Sequence, residues 1–135
     1  MQLLFERSGD VHIVRVKEAK LTYPVLSSFL AEVRGIVEEG ARKVVLDLEG
    51  VTYIDSAWIG CLMTIHRLLD DRDGAVKLIR LQPRVETMLS MTGVHKIVDF
   101  YREEAEALAA YGQPSQPPAG APKSEGRWTE PPFES

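Results

Sequence analysis

The run KVVLDL, residues 43–48, constrains the fold more than any other part of the chain. Its valines and leucines follow one another with almost no polar alternation, so neither side of the strand they form suits water. A strand buried on both faces belongs inside a sheet covered by helices, as in parallel or mixed α/β folds. The flanking sequence supplies the other parts. QLLFE (residues 2–6) and VHIVRVK (residues 11–17) read as strands joined through a Ser8-Gly9-Asp10 turn, which predicts a hairpin.

Pro24 marks a helix start, with Thr22 or Tyr23 just before it. Leu26, Phe29, Leu30, Val33 and Val37 follow at helical spacing, and Gly40 ends the helix. After the buried strand, Ser56 is placed to cap a second helix that turns Ile59, Leu62, Met63 and Leu69 inward. AVKLIRL (residues 75–81) is the next strand. Pro83 opens a third helix with Val85, Met88 and Leu89 inward and Gly93 as its stop. KIVDF (residues 96–100) is a short strand. REEAEALAAY (residues 102–111) is a last helix, with acids in the first turn where the helix dipole favours them. Strands alternating with helices after an initial hairpin predict an α/β sandwich. Its mixed β-sheet has antiparallel strands first and parallel ones after, covered by four α-helices.

The chain has 135 residues, enough for one domain with a real core, and there is no internal repeat. Six of its eight prolines fall in GQPSQPPAGAPKSEGRWTEPPFES. That stretch has no apolar periodicity and too little apolar surface to offset the entropy of ordering it. The expected division is therefore a folded body, residues 1–111, and a disordered proline-rich tail, residues 112–135, in which Trp128 and Phe133 are a candidate docking motif.

Charge and composition narrow the function. The net charge is -4, with both signs spread along the chain, which argues against a nucleic-acid partner. No apolar run reaches membrane-spanning length. The opening MQLLFERSGD lacks the basic start and long apolar core of a signal peptide, and the single cysteine, Cys61, has no internal partner. A cytoplasmic location is expected. His12, His66 and His95 are scattered and no metal-ligand spacing occurs, so neither a metal nor another cofactor is expected.

Chemistry concentrates in GVTYIDSAWIG, residues 50–60, where a buried strand turns into a helix. A serine hydroxyl at a helix start lies near unpaired amides and the positive end of the helix dipole. Such a place caps a helix, and it also suits a phosphate dianion. Trp58 is either an exposed binding anchor or a packing residue.

The order of elements together with this corner resembles the STAS domain of bacterial anti-sigma-factor antagonists and of the cytoplasmic tails of sulphate transporters. The resemblance covers residues 2–108. It rests on VVLDLEGVTYIDSAWIG, with Asp47, Leu48, Gly50, Val51, Ile54, Asp55, Ser56 and Gly60 matching the family pattern, and on LQPRVETMLSMTGVHKIVDFYREEAEAL. Three positions depart from it: Trp58 stands for a glycine, Ala57 for a small hydroxyl residue, and Thr22 for an acid. The resemblance implies that Ser56 is a phosphorylation site. The implied partners are an anti-sigma factor that is itself a serine kinase, and a serine phosphatase that resets the switch. It further implies a partner-binding surface of Thr22, Tyr53, Asp55, Ala57, Trp58 and Gly60 around Ser56. The alternative within the family is an interaction scaffold without phosphorylation, as in transporter accessory subunits or sensing complexes.

Enzymatic readings fare worse. Gly-x-Ser-x-Gly is absent, because Ile54 and Trp58 occupy the glycine places around Ser56. His66 lies ten residues along the same helix, about 15 Å away by helical rise, beyond the reach of a base. No GxxxxGK[ST] loop supports nucleotide binding. The chain is expected to be a binding protein without catalytic residues.

Overall fold

The computed structural model describes residues 2–112. The strands are β1 (Leu3–Ser8), β2 (Val11–Val16), β3 (Lys20–Leu21), β4 (Lys43–Asp47), β5 (Tyr53–Ile54), β6 (Ala75–Ile79) and β7 (Asp99–Tyr101). The helices are α1 (Tyr23–Glu38), α2 (Ser56–Asp70), α3 (Pro83–Met91) and α4 (Glu104–Ala110), with a 3-10 turn at Val94–Lys96. Five strands form one sheet in the order β1-β2-β4-β6-β7. The β1–β2 hairpin is antiparallel, and every later pairing is parallel. This is the mixed sheet and helix set read from the sequence.

Strand β4 is central and buried on both sides, as its unbroken apolar run demands. Val44 and Leu46 join Val14, Val16, Val76, Leu78 and Phe100 beneath α1, α2 and α3. Val45 joins Val11, Ile13, Ile79 and Tyr101 on the opposite face, covered by Ala107 and Leu108 of α4 and by Tyr111. Helix α1 ends as its glycine predicts. Gly40 takes a φ of 120°, its amide reaches Val37, and the Ala41 amide reaches Ile36, closing the last carbonyls of the helix.

Two expectations need correction. The segment 96–100 is not one strand: Val94–Lys96 coil into the 3-10 turn after Gly93, and pairing with β6 covers only Asp99–Tyr101. The last helix starts at Glu104 rather than 102, because Glu103 and Glu106 form a reciprocal capping box at its entrance. The proline-rich segment from residue 113 on, with Trp128 and Phe133, lies outside the described residues.

Candidate partner-binding site at two paired helix starts

The corner is built by a two-residue pairing, the shortest among the described residues. β3 and β5 run parallel, with Lys20 opposite Tyr53 and Leu21 opposite Ile54. The Thr52 and Tyr53 amides donate to the Ala19 carbonyl at 2.8 and 3.2 Å, and the Asp55 amide donates to Leu21 at 3.2 Å. Each strand runs directly into a helix. The pairing therefore sets the first residues of α1 and α2 side by side, and both helix dipoles present their positive ends there.

Asp55, not Ser56, is the N-cap of α2. This corrects the capping role expected of Ser56. Asp55 has extended backbone angles, and its Oδ1 accepts from the Trp58 amide at 3.2 Å. Its other oxygen, Oδ2, accepts from the Tyr23 amide at 3.0 Å. One carboxylate thus serves the starts of two helices. Helix α1 needs this help. Its own cap, Thr22, makes no side-chain capping bond, Pro24 has no N–H, and the Val25 amide is taken by the Thr22 carbonyl.

Ser56 becomes the first residue of α2, and its side chain is exposed. The Ser56 and Ala57 amides have no hydrogen-bond acceptor among the described residues. A free hydroxyl thus stands beside open amide donors at a helix N-terminus. Gly60, four residues on and so on the same helix face, is also exposed, with open space around its Cα. Tyr53 is exposed at 42%, and Thr22 and Ala57 are half-buried at the margin.

Trp58 is the second correction. It is 0% exposed and packs in the main core with Cys61, Leu62 and Ile65, so it presents no surface to a partner. Its indole Nε1 has no acceptor there. The more exposed of the two tyrosines at this corner is Tyr23, 76% exposed and not among the binding residues expected from the sequence. The signal was present in the parallel between LTYP and YIDS, two short strands that each turn into a helix.

Other candidate groups are remote or inert. Burial pushes the Cys61 thiol up to about 11, so it stays protonated. His12 pairs with Val44 at the start of β4, whereas Ser56 follows β5, nine residues past the end of β4. No group of His, Cys, Asp and Glu that could hold a metal ion occurs among the described residues.

A STAS domain model matches residues 2–107, and the chain belongs to that family. Among its relatives is the anti-sigma F factor antagonist of Paenibacillus polymyxa, 29% identical over 65 residues, which are 48% of this chain. The match covers 56% of that relative, so the chain spans just over half of its length. BtrV of Bordetella bronchiseptica, which carries the name of an anti-sigma factor antagonist, is 31% identical over 60% of this chain and 70% of its own. A Thermotoga maritima protein of the same naming has a solved structure that superposes with a TM-score of 0.75 at 26% identity. That superposition covers 82% of this chain and 95% of the other.

Proposed function

We propose that this chain is a regulatory module that binds an anti-sigma factor with serine kinase activity and is switched by phosphorylation of Ser56. The observation that carries the reading is the exposed Ser56 hydroxyl at the first position of α2, beside amides without acceptors. In this reading Ser56 Oγ attacks the terminal phosphorus of the partner's ATP. The new O–P bond forms as the bridging O–P bond to the ADP oxygen breaks, and the hydroxyl proton passes to a base of the kinase. The resulting phosphate, carrying close to two negative charges, meets the open amides and the positive end of α2. Helix α2 tolerates it, while a surface that bound a neutral hydroxyl is now strongly anionic.

Relatives named as anti-sigma factor antagonists support the partner class. The burial of Trp58 supports the switch over a fixed scaffold, because the indole that stands for the family's glycine is withdrawn from the surface of Ser56. The chain itself acts as a binding protein without catalysis or cofactor, in the cytoplasm, and a serine phosphatase restores the free form. The partner meets Tyr53, Asp55, Ser56, Ala57 and Gly60, with Thr22 at the rim.

The test is reconstitution with a purified anti-sigma factor kinase and ATP. Mass spectrometry is expected to place one phosphate on Ser56, and Ser56→Ala to abolish it while still binding. Ser56→Asp is expected to weaken binding at least about tenfold, a loss of roughly 1.4 kcal/mol. A kinase complex that forms but leaves Ser56 unmodified and ignores Ser56→Asp would return the chain to a scaffold role.

A further inference from the structure

We infer that Asp55 is the positioning residue that couples Ser56 to the head of α1, so that Tyr23 belongs to the same switched surface. The inference rests on the phosphorylation reading of Ser56 and extends it to a second helix. Asp55 divides its two oxygens between Trp58 N–H in α2 and Tyr23 N–H in α1. The first turn of α1 has no other means of satisfying the Tyr23 amide, since Thr22 makes no capping bond and Pro24 follows. The residue held in this way carries the most exposed aromatic ring at the corner. Across the β3–β5 pairing Lys20 lies opposite Tyr53, the other exposed ring of the corner.

A phosphate on Ser56 arrives one residue from this carboxylate. It meets the open Ser56 and Ala57 amides beside the Trp58 amide that Asp55 serves, and it repels Asp55, whose two oxygens are committed to backbone amides. With the phosphate serving α2, Asp55 is displaced and the Tyr23 amide loses its acceptor. The switched surface then includes a changed position of Tyr23 as well as new charge. A partner that seats an aromatic side chain beside the serine reads both changes at once, and aromatic rings are the usual anchors of such contacts.

The test needs no partner. The full chain is prepared with phosphoserine incorporated at position 56, and amide hydrogen exchange is followed by NMR beside the unmodified chain and Asp55→Asn. Asparagine keeps one acceptor oxygen, enough for one helix start and not two. The Tyr23 amide is expected to exchange about threefold to tenfold faster in the phosphoserine chain, the change that one hydrogen bond represents. Trp58 and the β4 amides Val45 and Leu46 are expected to keep their protection. In Asp55→Asn, Tyr23 is expected to lose protection, while Trp58, whose amide also donates to the Asp55 carbonyl at 3.0 Å, and β4 stay protected. Unchanged Tyr23 exchange in the phosphoserine chain overturns the coupling. So does a loss of protection that spreads equally to β4, since the phosphate then unfolds the domain instead of releasing one helix. Failure of the kinase reconstitution with this result intact would sink the partner assignment and leave the coupling standing.

Discussion

At the scale of the residue, the corner was legible in kind and misread by one position. Asp and Ser rank together as N-caps, so DS before an apolar helical pattern does not say which of the two caps. The choice is made by tertiary structure: Asp55 has a second amide to serve on α1, and serine has no second acceptor oxygen with which to do so. Trp58 was ambiguous for a similar reason, because an aromatic in a first turn packs inward only if a neighbouring element leaves room. Its burial makes a quantitative prediction. Trp58→Ala removes a large, fully buried side chain and is expected to destabilise the domain by about 3–5 kcal/mol. Trp58→Phe leaves a smaller gap and removes an indole N–H that has no acceptor, so its loss is expected to be smaller. Urea denaturation measures both. A near-neutral Trp58→Ala would contradict the packing role.

At the scale of the element, the hairpin, the buried β4 and helices α1 to α3 were readable because each has many residues in phase with one period. β3 and β5 were not, since two residues carry no periodicity, yet their pairing is what juxtaposes the two helix starts. The attachment of α4 was also invisible in the sequence. Seven residues of helix hold little by themselves. The anchor is Tyr111, just past the helix end, whose hydroxyl lies 2.9 Å from the Val44 carbonyl and 2.7 Å from that of Ala75. Its one proton serves either carbonyl, bridging β4 and β6. The ring also lies against the buried Lys77 ammonium, which is 4.8 Å from its centre and bonded to Asp99 at 3.1 Å. Tyr111→Phe keeps the ring and loses the bridge. It is expected to cost about 1–3 kcal/mol in urea denaturation, the effect of leaving a buried acceptor unmet. Amide exchange in α4 should rise with it. An unchanged midpoint and unchanged α4 protection would mean that the apolar contacts of Ala107 and Leu108 hold the helix alone.

At the scale of the molecule, one cation gathers parts that are far apart in the sequence. Arg15 on β2 holds Asp47 of β4 at 2.7 Å, Glu6 of β1 at 2.8 Å and Glu104 of α4 at 2.9 Å. The hydrogen bond from Arg15 lowers the Glu6 carboxyl below its ordinary 4.5, and Lys43 lowers Asp10 below 3.8 in the same way. Desolvation lowers His12 below its ordinary 6.5, with Arg7 adding to the effect and Asp10 opposing it. All three groups therefore bind protons more weakly when folded, and the unfolded chain takes up protons first as pH falls. Their contribution is fully present above about pH 7 and declines downward in two stages. His12 acts first, below pH 6.5, and the carboxylates follow below about 4.5. Urea denaturation at stepped pH is expected to show a plateau above neutrality, a shallow fall and then a steeper one. His12→Gln should flatten the shallow stage and Glu6→Gln should soften the steep one, each leaving the other stage in place. Stability that instead rose between pH 7 and 5 would reverse the sign deduced for His12. The half-buried imidazole would then have to find a partner for its Nδ1, which has none among the described residues.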